Sequence, residues 1–264
     1  MPIWIAHKII RRSKNSLVNS LLQNLIFMSP FLAEFMGTMF LMILGNGVVA
    51  NVLLAKTKGN NSGLLVIAFG WAMAVFTGVF IASHGSGAHL NPAVTIALAA
   101  FNNFSWSEVP VYIAGQFTGA IAGSFIVWIC YRQHFNETQN ADTILAAFST
   151  SPAISSKADN LVSEIIGTFV LVMGVLFMAK PTNSLGTLDA LPVGLLVLAI
   201  GLSLGGPTGY AINPFRDLCP RIVHSILPIK HKGGSDWRYS WIPVVGPIIG
   251  GLLAAFIFKT FVHL

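Results

Sequence analysis

Two stretches of the 264-residue chain decide its fold, and each is built around an Asn-Pro pair. Residues 83–101 read SHGSGAHLNPAVTIALAAF, and residues 205–222 read GGPTGYAINPFRDLCPRI. Asn caps free backbone N–H groups at a helix start, and Pro at the first helical position gives up an N–H that has no intrahelical partner. Each stretch therefore predicts a Gly-rich loop that turns into a helix too short to cross a bilayer.

Six apolar segments surround these two stretches, each near the roughly 20 residues that a membrane-spanning helix needs. They lie at about 30–53, 64–83, 110–131, 161–180, 191–206 and 240–260. Only 9% of the residues are charged and 54% are hydrophobic, with a mean hydropathy of +0.73. A soluble domain carries about 25% charged residues. The composition therefore predicts an integral membrane protein.

The charge pattern favours membrane headgroups as partners, because the basic residues lie in tails and loops without a nucleic-acid-binding pattern. The net charge is +6 and the pI about 9.6. Residues 1–28 are basic and contain no acid, which is typical of an interfacial amphipathic helix or a cytoplasmic tail; a transit peptide has the same composition. Cys130 and Cys219 form no metal-binding spacing, and no metal site is predicted.

The chain contains an internal duplication. Residues 33–38 read AEFMGT and residues 163–168 read SEIIGT, each opening an apolar segment. The glutamates of these hexapeptides are 130 positions apart, and the two Asn-Pro pairs are 122 positions apart. Each half has three spans, an odd number, so the halves must be oppositely oriented. The predicted fold is an all-α integral membrane protein with six transmembrane helices and two re-entrant half-helices in an inverted internal repeat.

A solute path is expected where the two half-helices meet, since their positive dipole ends converge near the midplane. The side-chain amides of Asn91 and Asn213 would then face this path as donors to a passing hydroxyl group. A positive potential there repels cations and hydronium, and a bound oxygen that accepts two hydrogen bonds cannot relay a proton chain. The pattern predicts passive passage of small uncharged solutes.

The domain boundaries and the orientation follow from the same segments. We expect a basic tail over residues 1–28 and a single channel domain over residues 29–262, with repeats at about 29–132 and 160–262. An even number of spans puts both termini on one side, and the basic tail favours the cytoplasm. All Lys and Arg together number six on that side and nine on the other, which opposes this orientation. We expect cytoplasmic termini and a plasma (inner) membrane location.

The two Asn-Pro loops resemble the signature loops of the aquaporin, or major intrinsic protein, family. The resemblance rests on SGAHLNPAVT, GYAINPFRD and the paired AEFMGT and SEIIGT starts, and it covers roughly residues 30–262. The implied NPA-type motifs consist of Asn91, Pro92, Ala93, Asn213, Pro214 and Phe215. The family implies a homotetramer with one pore per subunit and no cofactor.

The branches of this family differ at a narrow filter on the extracellular side. The resemblance assigns to this filter Trp71, Gly201, Tyr210 and Arg216. Water-selective members usually carry His where this chain has Gly201, and Asp217 and Pro243 are typical of the glycerol branch. The resemblance therefore implies an aquaglyceroporin that passes glycerol first, with urea, other small polyols and water as further solutes.

Glycerol has hydroxyl groups along one edge and C–H groups along the other. We expect Trp71 and Tyr210 to form an apolar corner for the carbon edge, and Arg216 to donate hydrogen bonds to the hydroxyl groups. A glycine at position 201 is expected to widen the aperture and free backbone carbonyls. The alternatives are that Trp and Tyr anchor the chain at the membrane interface and that the glycine permits close helix packing.

Several further residues receive roles from the resemblance. Glu34 and Glu164, costly in a membrane unless satisfied, are expected to accept hydrogen bonds from the re-entrant loops, with Asp217 as a further support. His89 is expected to line the cytoplasmic pore mouth. Phe215 replaces the usual Ala of the second motif, and two outcomes are open: the ring packs between helices, or it shifts the half-helix and alters the pore.

Two other functions compete with a glycerol channel. A water-selective channel predicts His at the filter, which Gly201 opposes. An ion-coupled secondary transporter needs a titrating acid exposed to the path, and Glu34 and Glu164 match supporting positions instead. An intramembrane enzyme is not expected, since the sequence shows no Ser-His pair, paired carboxylates or metal cluster in the path.

Overall fold

The structure, a computed structural model, describes residues 28–101, 104–178 and 183–262. The predicted N-terminal tail lies outside these residues except for Met28. The described residues form helices and connecting segments without a β-strand, which confirms the predicted all-α class.

Nine α-helices follow one another in the described ranges. They are α1 (Pro30–Leu53), α2 (Leu64–Ser86), α3 (Pro92–Ala100), α4 (Val109–Glu137), α5 (Ala141–Ala146), α6 (Lys157–Phe177), α7 (Leu191–Leu204), α8 (Pro214–Ile226) and α9 (Ile242–Phe261). A short 3-10 turn, Gly186–Ala190, leads into α7. Helices α1, α2, α4, α6, α9 and the combined segment Gly186–Leu204 are long and apolar enough to cross a membrane. The six predicted spans are thereby confirmed, and α3 and α8 are the two predicted half-helices.

The helix bounds differ from the predicted segments mainly at polar ends. Helix α4 continues to Glu137, six residues beyond the predicted end, because polar contacts hold its last turn. There Thr138 Oγ1 accepts a hydrogen bond from Ala55 N at 2.9 Å, and Lys56 forms an ion pair with Glu137. Helix α5 was not predicted; Asn140 caps it by accepting a hydrogen bond from Thr143 N at 2.8 Å. Six residues are too few to show a hydrophobic period.

The two halves of the chain interlock through their half-helices. Helix α1 packs against α2 and α4, and helix α6 packs against α9. Half-helix α3 of the first half packs against α9 of the second, and α8 of the second packs against α4 of the first. We call the side on which α1 begins and α2 ends the first face, and the side on which α1 ends and α6 begins the second face. Helix α3 returns to the first face and α8 to the second.

Close helix contacts repeat in the two halves at glycine. A Cβ atom at Gly119 on α4 would overlap the carbonyl oxygen of Phe35 on α1, and one at Gly250 on α9 would overlap that of Ile165 on α6. Small residues let helix backbones approach closely where burial of apolar surface gives no driving force in lipid. The outer surfaces of the spanning helices expose large apolar side chains, among them Leu65, Ile129 and Phe256. Such a surface fits a hydrocarbon solvent.

Candidate functional site

The two half-helices meet end to end through their capping asparagines. Asn91 Oδ1 accepts a hydrogen bond from Ala93 N at 2.9 Å, and Asn213 Oδ1 accepts from Phe215 N at 3.1 Å. Asn91 Nδ2 donates to Ile212 O and Asn213 Nδ2 donates to the carbonyl preceding Asn91, both at 2.8 Å. An amide carries two N–H groups, so each asparagine keeps one donor beyond this reciprocal pairing. The positive ends of α3 and α8 therefore converge at one place.

Both loops that approach the asparagines use a strained backbone at equivalent positions. The third and first residues before Asn91, Ala88 and Leu90, have φ of 58° and 52°. Tyr210 and Ile212 hold the same positions before Asn213, with φ of 40° and 45°. Each non-glycine residue in this region costs about 1–3 kcal/mol and persists only where its surroundings enforce it. The internal repeat thus extends to the backbone conformation of the loops.

Glu34 enforces the first loop from inside the helix bundle. It is fully buried on α1. Its Oε1 accepts hydrogen bonds from Ser86 Oγ at 2.5 Å and His89 N at 2.9 Å. Its Oε2 accepts from Leu90 N at 2.7 Å and Gln116 Nε2 at 2.8 Å. Four donors distribute the carboxylate charge over the loop and α4, and charge-assisted bonds of this kind are stronger than neutral ones.

Glu164 holds the second loop in the same way. It is also fully buried, on α6. Its Oε1 accepts hydrogen bonds from Thr208 Oγ1 at 2.7 Å and Ala211 N at 3.0 Å, and its Oε2 accepts from Ile212 N at 2.9 Å. Both predicted glutamates therefore contact backbone N–H groups of the loops, and both carboxylates are occupied by protein donors.

A cavity of about 160 Å³ runs past the junction of the half-helices. One side is aliphatic, with valines of α2, α6 and α7 such as Val75, Val175 and Val197. The polar side includes Asn91, Asn213 and backbone of both loops. A path with an aliphatic wall and a hydrogen-bonding wall suits a solute with both kinds of surface.

Trp71 and Arg216 lie together at the second-face end of this cavity. The guanidinium carbon of Arg216 lies 4.2 Å from the centroid of the Trp71 ring, a cation–π contact. Arg216 Nη1 donates to Phe148 O at 3.4 Å. Both side chains and Tyr210 line the cavity and are more than nine-tenths buried. Three of the four predicted filter residues therefore line one cavity.

Gly201, the fourth, lies directly beside the ring of Tyr210. It does not line the cavity. A Cβ atom at Gly201 would lie 2.8 Å from Cζ and 2.9 Å from Oη of Tyr210. The space that the glycine leaves is filled by the tyrosine ring. The expectation that Gly201 widens the aperture and frees backbone carbonyls stays a prediction, and a widening would act through the position of Tyr210.

The ring of Phe215 packs between helices, outside the pore. Its centroid lies 5.4 Å from that of Phe117 on α4, with the ring planes at 75°. Phe215 is half-buried and is not among the cavity-lining residues. Edge-to-face aromatic pairs of this kind are favourable. Of the two outcomes left open by the sequence, the geometry favours the one in which the ring is absorbed by packing.

Asp217 supports the segment that follows α5. Its Oδ2 accepts hydrogen bonds from Thr150 N at 2.7 Å and Thr150 Oγ1 at 2.6 Å. Arg221, one turn further along α8, donates from Nε to Asp217 Oδ1 at 2.9 Å and from Nη2 to Thr150 O at 2.7 Å. Both charged groups are fully buried. Sequence reasoning missed Arg221 as a structural partner, although a basic residue four positions after Asp217 is a recognisable helical ion-pair spacing.

The segment between α8 and α9 is tied to the same half-helix. Arg221 Nη1 donates to Ser235 O at 2.7 Å, and His224 Nδ1 lies 2.8 Å from Ser235 Oγ. Lys232 Nζ donates to His224 O at 2.9 Å, satisfying a carbonyl of the last helical turn. Partial burial lowers the pKa of Lys232. These contacts join the second-face segments to α8 and thereby to Arg216.

His89 lies at the opposite end of the cavity, towards the first face. Its Nδ1 is 3.1 Å from Thr95 Oγ1, and its ring lies 4.7 Å from the centroids of both Phe104 and Tyr112. Within the described ranges, no group of three or more His, Cys, Asp or Glu side chains is arranged to hold a metal ion.

Comparisons with known proteins agree with this architecture. The chain matches the family described as "Major intrinsic protein" over residues 21–258. It is 55% identical over 232 residues to the "Probable glycerol uptake facilitator protein" of Thermotoga maritima, covering 88% of this chain and 99% of the relative. It is 52% identical over 234 residues to the "Glycerol uptake facilitator protein" of Streptococcus pneumoniae, covering 89% and 100%.

A solved structure is similar as well. The X-ray structure of the aquaglyceroporin from Plasmodium falciparum matches with a TM-score of 0.77 and 32% sequence identity, covering 88% of this chain and 96% of that chain. The fold and the paired asparagine-capped half-helices define a multi-pass integral membrane protein of the channel-forming kind. The chain belongs to the major intrinsic protein family.

Proposed function

We propose that the chain is a passive transmembrane channel for glycerol and other small uncharged solutes, including water. The observation that carries the proposal is the Trp71–Arg216 contact, which puts an aromatic face and a guanidinium group side by side in the lining of the cavity. The relatives named as glycerol uptake facilitators support glycerol as the leading solute. Urea and small polyols follow from the same chemistry.

Selection in this proposal depends on matching the two edges of the solute. Among the described residues, the guanidinium group of Arg216 makes one hydrogen bond to protein, through Nη1, and its remaining N–H groups are donors for solute hydroxyl groups. Trp71 and Tyr210 offer carbon surface to the C–H edge. Further along, the free N–H of Asn91 and of Asn213 donates to the same solute after it leaves the filter.

Ions and protons are excluded by charge and by hydrogen-bond geometry. The ends of α3 and α8 present partial positive charge at the junction, and Arg216 adds a full positive charge at the filter. Cations therefore meet a barrier at two depths. Two amide donors at the junction orient a passing water molecule as an acceptor, which interrupts a proton relay.

The hydrogen bonding and the position of the two buried glutamates favour passive passage over ion coupling. Glu34 accepts four hydrogen bonds and Glu164 accepts three, and neither lines the cavity. A coupled transporter needs an acid that meets the solute path and changes its protonation. We infer facilitated diffusion without covalent chemistry or a cofactor.

The assembly and the location form part of the proposal. We infer a single channel domain over residues 29–262, with repeats at about 29–132 and 160–262, assembled as a homotetramer with one pore per subunit. Both termini would face the cytoplasm, and the second face, which carries the filter, would face outward from a plasma (inner) membrane. Uptake by the named bacterial relatives supports this location.

Stopped-flow light scattering on proteoliposomes tests the function. The protein should admit glycerol well above empty liposomes under a glycerol gradient, and water under a sucrose gradient. Val175→Trp, which fills the cavity, should abolish both fluxes, whereas Val111→Trp on the exposed side of α4 should leave both intact. Rapid water flux with glycerol flux at the level of empty liposomes would overturn the glycerol proposal.

A further inference from the structure

A buried side-chain amide on α1 contacts the same backbone carbonyl as the predicted filter arginine. Asn46 is only 1% exposed, and its Nδ2 donates to Phe148 O at 3.3 Å. Phe148 lies 102 positions later, in the segment that follows α5. A polar side chain inside a membrane bundle is costly, so a contact between elements so far apart in the chain calls for a role.

The carbonyl that Asn46 contacts is the one that holds the filter arginine. Arg216 Nη1 donates to Phe148 O at 3.4 Å, the one hydrogen bond that the guanidinium makes within the described parts of the chain. A carbonyl oxygen has two lone pairs. It can therefore accept from both Arg216 and Asn46, and the amide holds the acceptor on which the position of Arg216 depends.

The residue before Asn46 supports the other partner of the guanidinium. A side chain at Gly45 would overlap the ring of Trp71, whose face lies 4.2 Å from the guanidinium carbon of Arg216. Two consecutive residues of α1 therefore border the two groups between which Arg216 is held.

A purely structural role for this amide is disfavoured by its second polar atom. Asn46 Oδ1 is buried without a hydrogen-bond partner in the described residues. An unsatisfied buried acceptor is destabilising, and an apolar side chain of similar size would avoid that cost. The amide is thus better explained by what its donor does than by helix packing.

We propose that Asn46 is a positioning residue for solute selection, acting on Arg216 through the Phe148 carbonyl. The inference rests on the proposed function, in which Arg216 is a filter residue. Loss of the Asn46 donor leaves the carbonyl held by Arg216 alone, so the guanidinium gains freedom inside the aperture. Glycerol, which must align with it, is affected more than water.

The test is the ratio of glycerol to water permeability in proteoliposomes. Asn46→Leu should lower this ratio by roughly threefold to tenfold, the range that one hydrogen bond corresponds to. Thr38→Val is the matched control, since Thr38 is an equally buried polar residue of α1 whose hydroxyl has no partner in the described residues. It should leave the ratio unchanged. Asn46→Val, which is smaller, replaces the leucine variant if that one fails to reach the membrane.

A double-mutant cycle separates positioning from general damage. Arg216→Ala should itself change the ratio, and adding Asn46→Leu in that background should change it by less than about twofold. Additive effects, or an unchanged ratio in both Asn46 variants while Arg216→Ala changes it, would overturn the positioning role and leave the filter proposal standing. An unchanged ratio in Arg216→Ala would overturn the filter assignment and the positioning role together.

Discussion

The ring of Tyr210 occupies the space that a side chain at position 201 would need. A Cβ atom at Gly201 would come within 2.8 Å of Tyr210 Cζ and 2.9 Å of its hydroxyl oxygen. Tyr210 lines the cavity and Gly201 does not. We therefore expect the two residues to set the aperture jointly, with the glycine determining how far the aromatic ring withdraws from the path.

Gly201→Ala should push this ring into the filter and lower glycerol permeability on the order of tenfold, with a smaller loss for water, because protein interiors absorb an added methyl group poorly. Stopped-flow measurements with glycerol and sucrose gradients give both values. Gly206→Ala is the matched control, since a Cβ atom there meets nothing within 4 Å. Equal glycerol permeability in the two variants would show that Tyr210 does not depend on Gly201.

The membrane fold was predictable because its determinants are local and repeated. The Asn-Pro pairs mark helix starts by capping chemistry, and the structure places α3 and α8 directly after Asn91 and Asn213. The span count follows from apolar length, which a bilayer imposes on any sequence. The role of the duplicated glutamates in loop support was implied by the family resemblance, and it agrees with the need of a buried carboxylate for donors.

The details of the site were less predictable, because they depend on contacts between distant segments. The contact of Gly201 with Tyr210 was not predicted, since no local pattern shows that the ring of Tyr210 fills the space that the glycine leaves. The contact of Asn46 with Phe148 spans 102 positions and has no sequence signature. The pairing of Asp217 with Arg221 could have been predicted from their i, i+4 spacing on α8. The contact of Asp217 with Thr150 has no such pattern in the sequence.

Phe215→Ala should leave the glycerol permeability within about twofold of the original protein, because the ring packs on Phe117 and not on the cavity. Thermal unfolding in detergent should show a loss of stability of about 1–3 kcal/mol, less than for a fully buried phenylalanine. Phe117→Ala is the matched variant and should cost a similar amount. A large change of glycerol flux in Phe215→Ala would contradict this assignment and show that the ring shapes the pore.

Glu34→Gln should destabilise the first loop strongly. The substitution replaces one carboxylate oxygen by an NH₂ group, which then faces donors such as Leu90 N or Gln116 Nε2. We expect a loss of about 2–4 kcal/mol and a parallel loss of glycerol and water flux, since charged hydrogen bonds are lost and a strained loop is released. Glu108→Gln, at an exposed acid before α4, should change neither quantity. A stable, fully active Glu34→Gln protein would refute the supporting role.

Arg221→Met should be among the most damaging single changes, because it leaves Asp217 buried and charged without its partner. Breaking a buried ion pair from one side costs about 3–5 kcal/mol. Lys56→Met removes one partner of the exposed Lys56–Glu137 pair and should cost less than about 1 kcal/mol. Unfolding midpoints of the two variants in detergent provide the comparison, and the double variant Arg221→Met with Asp217→Asn should recover part of the loss, since no buried charge is left unpaired. If Arg221→Met proves as mild as Lys56→Met, the buried pair does not hold the second-face segments to α8.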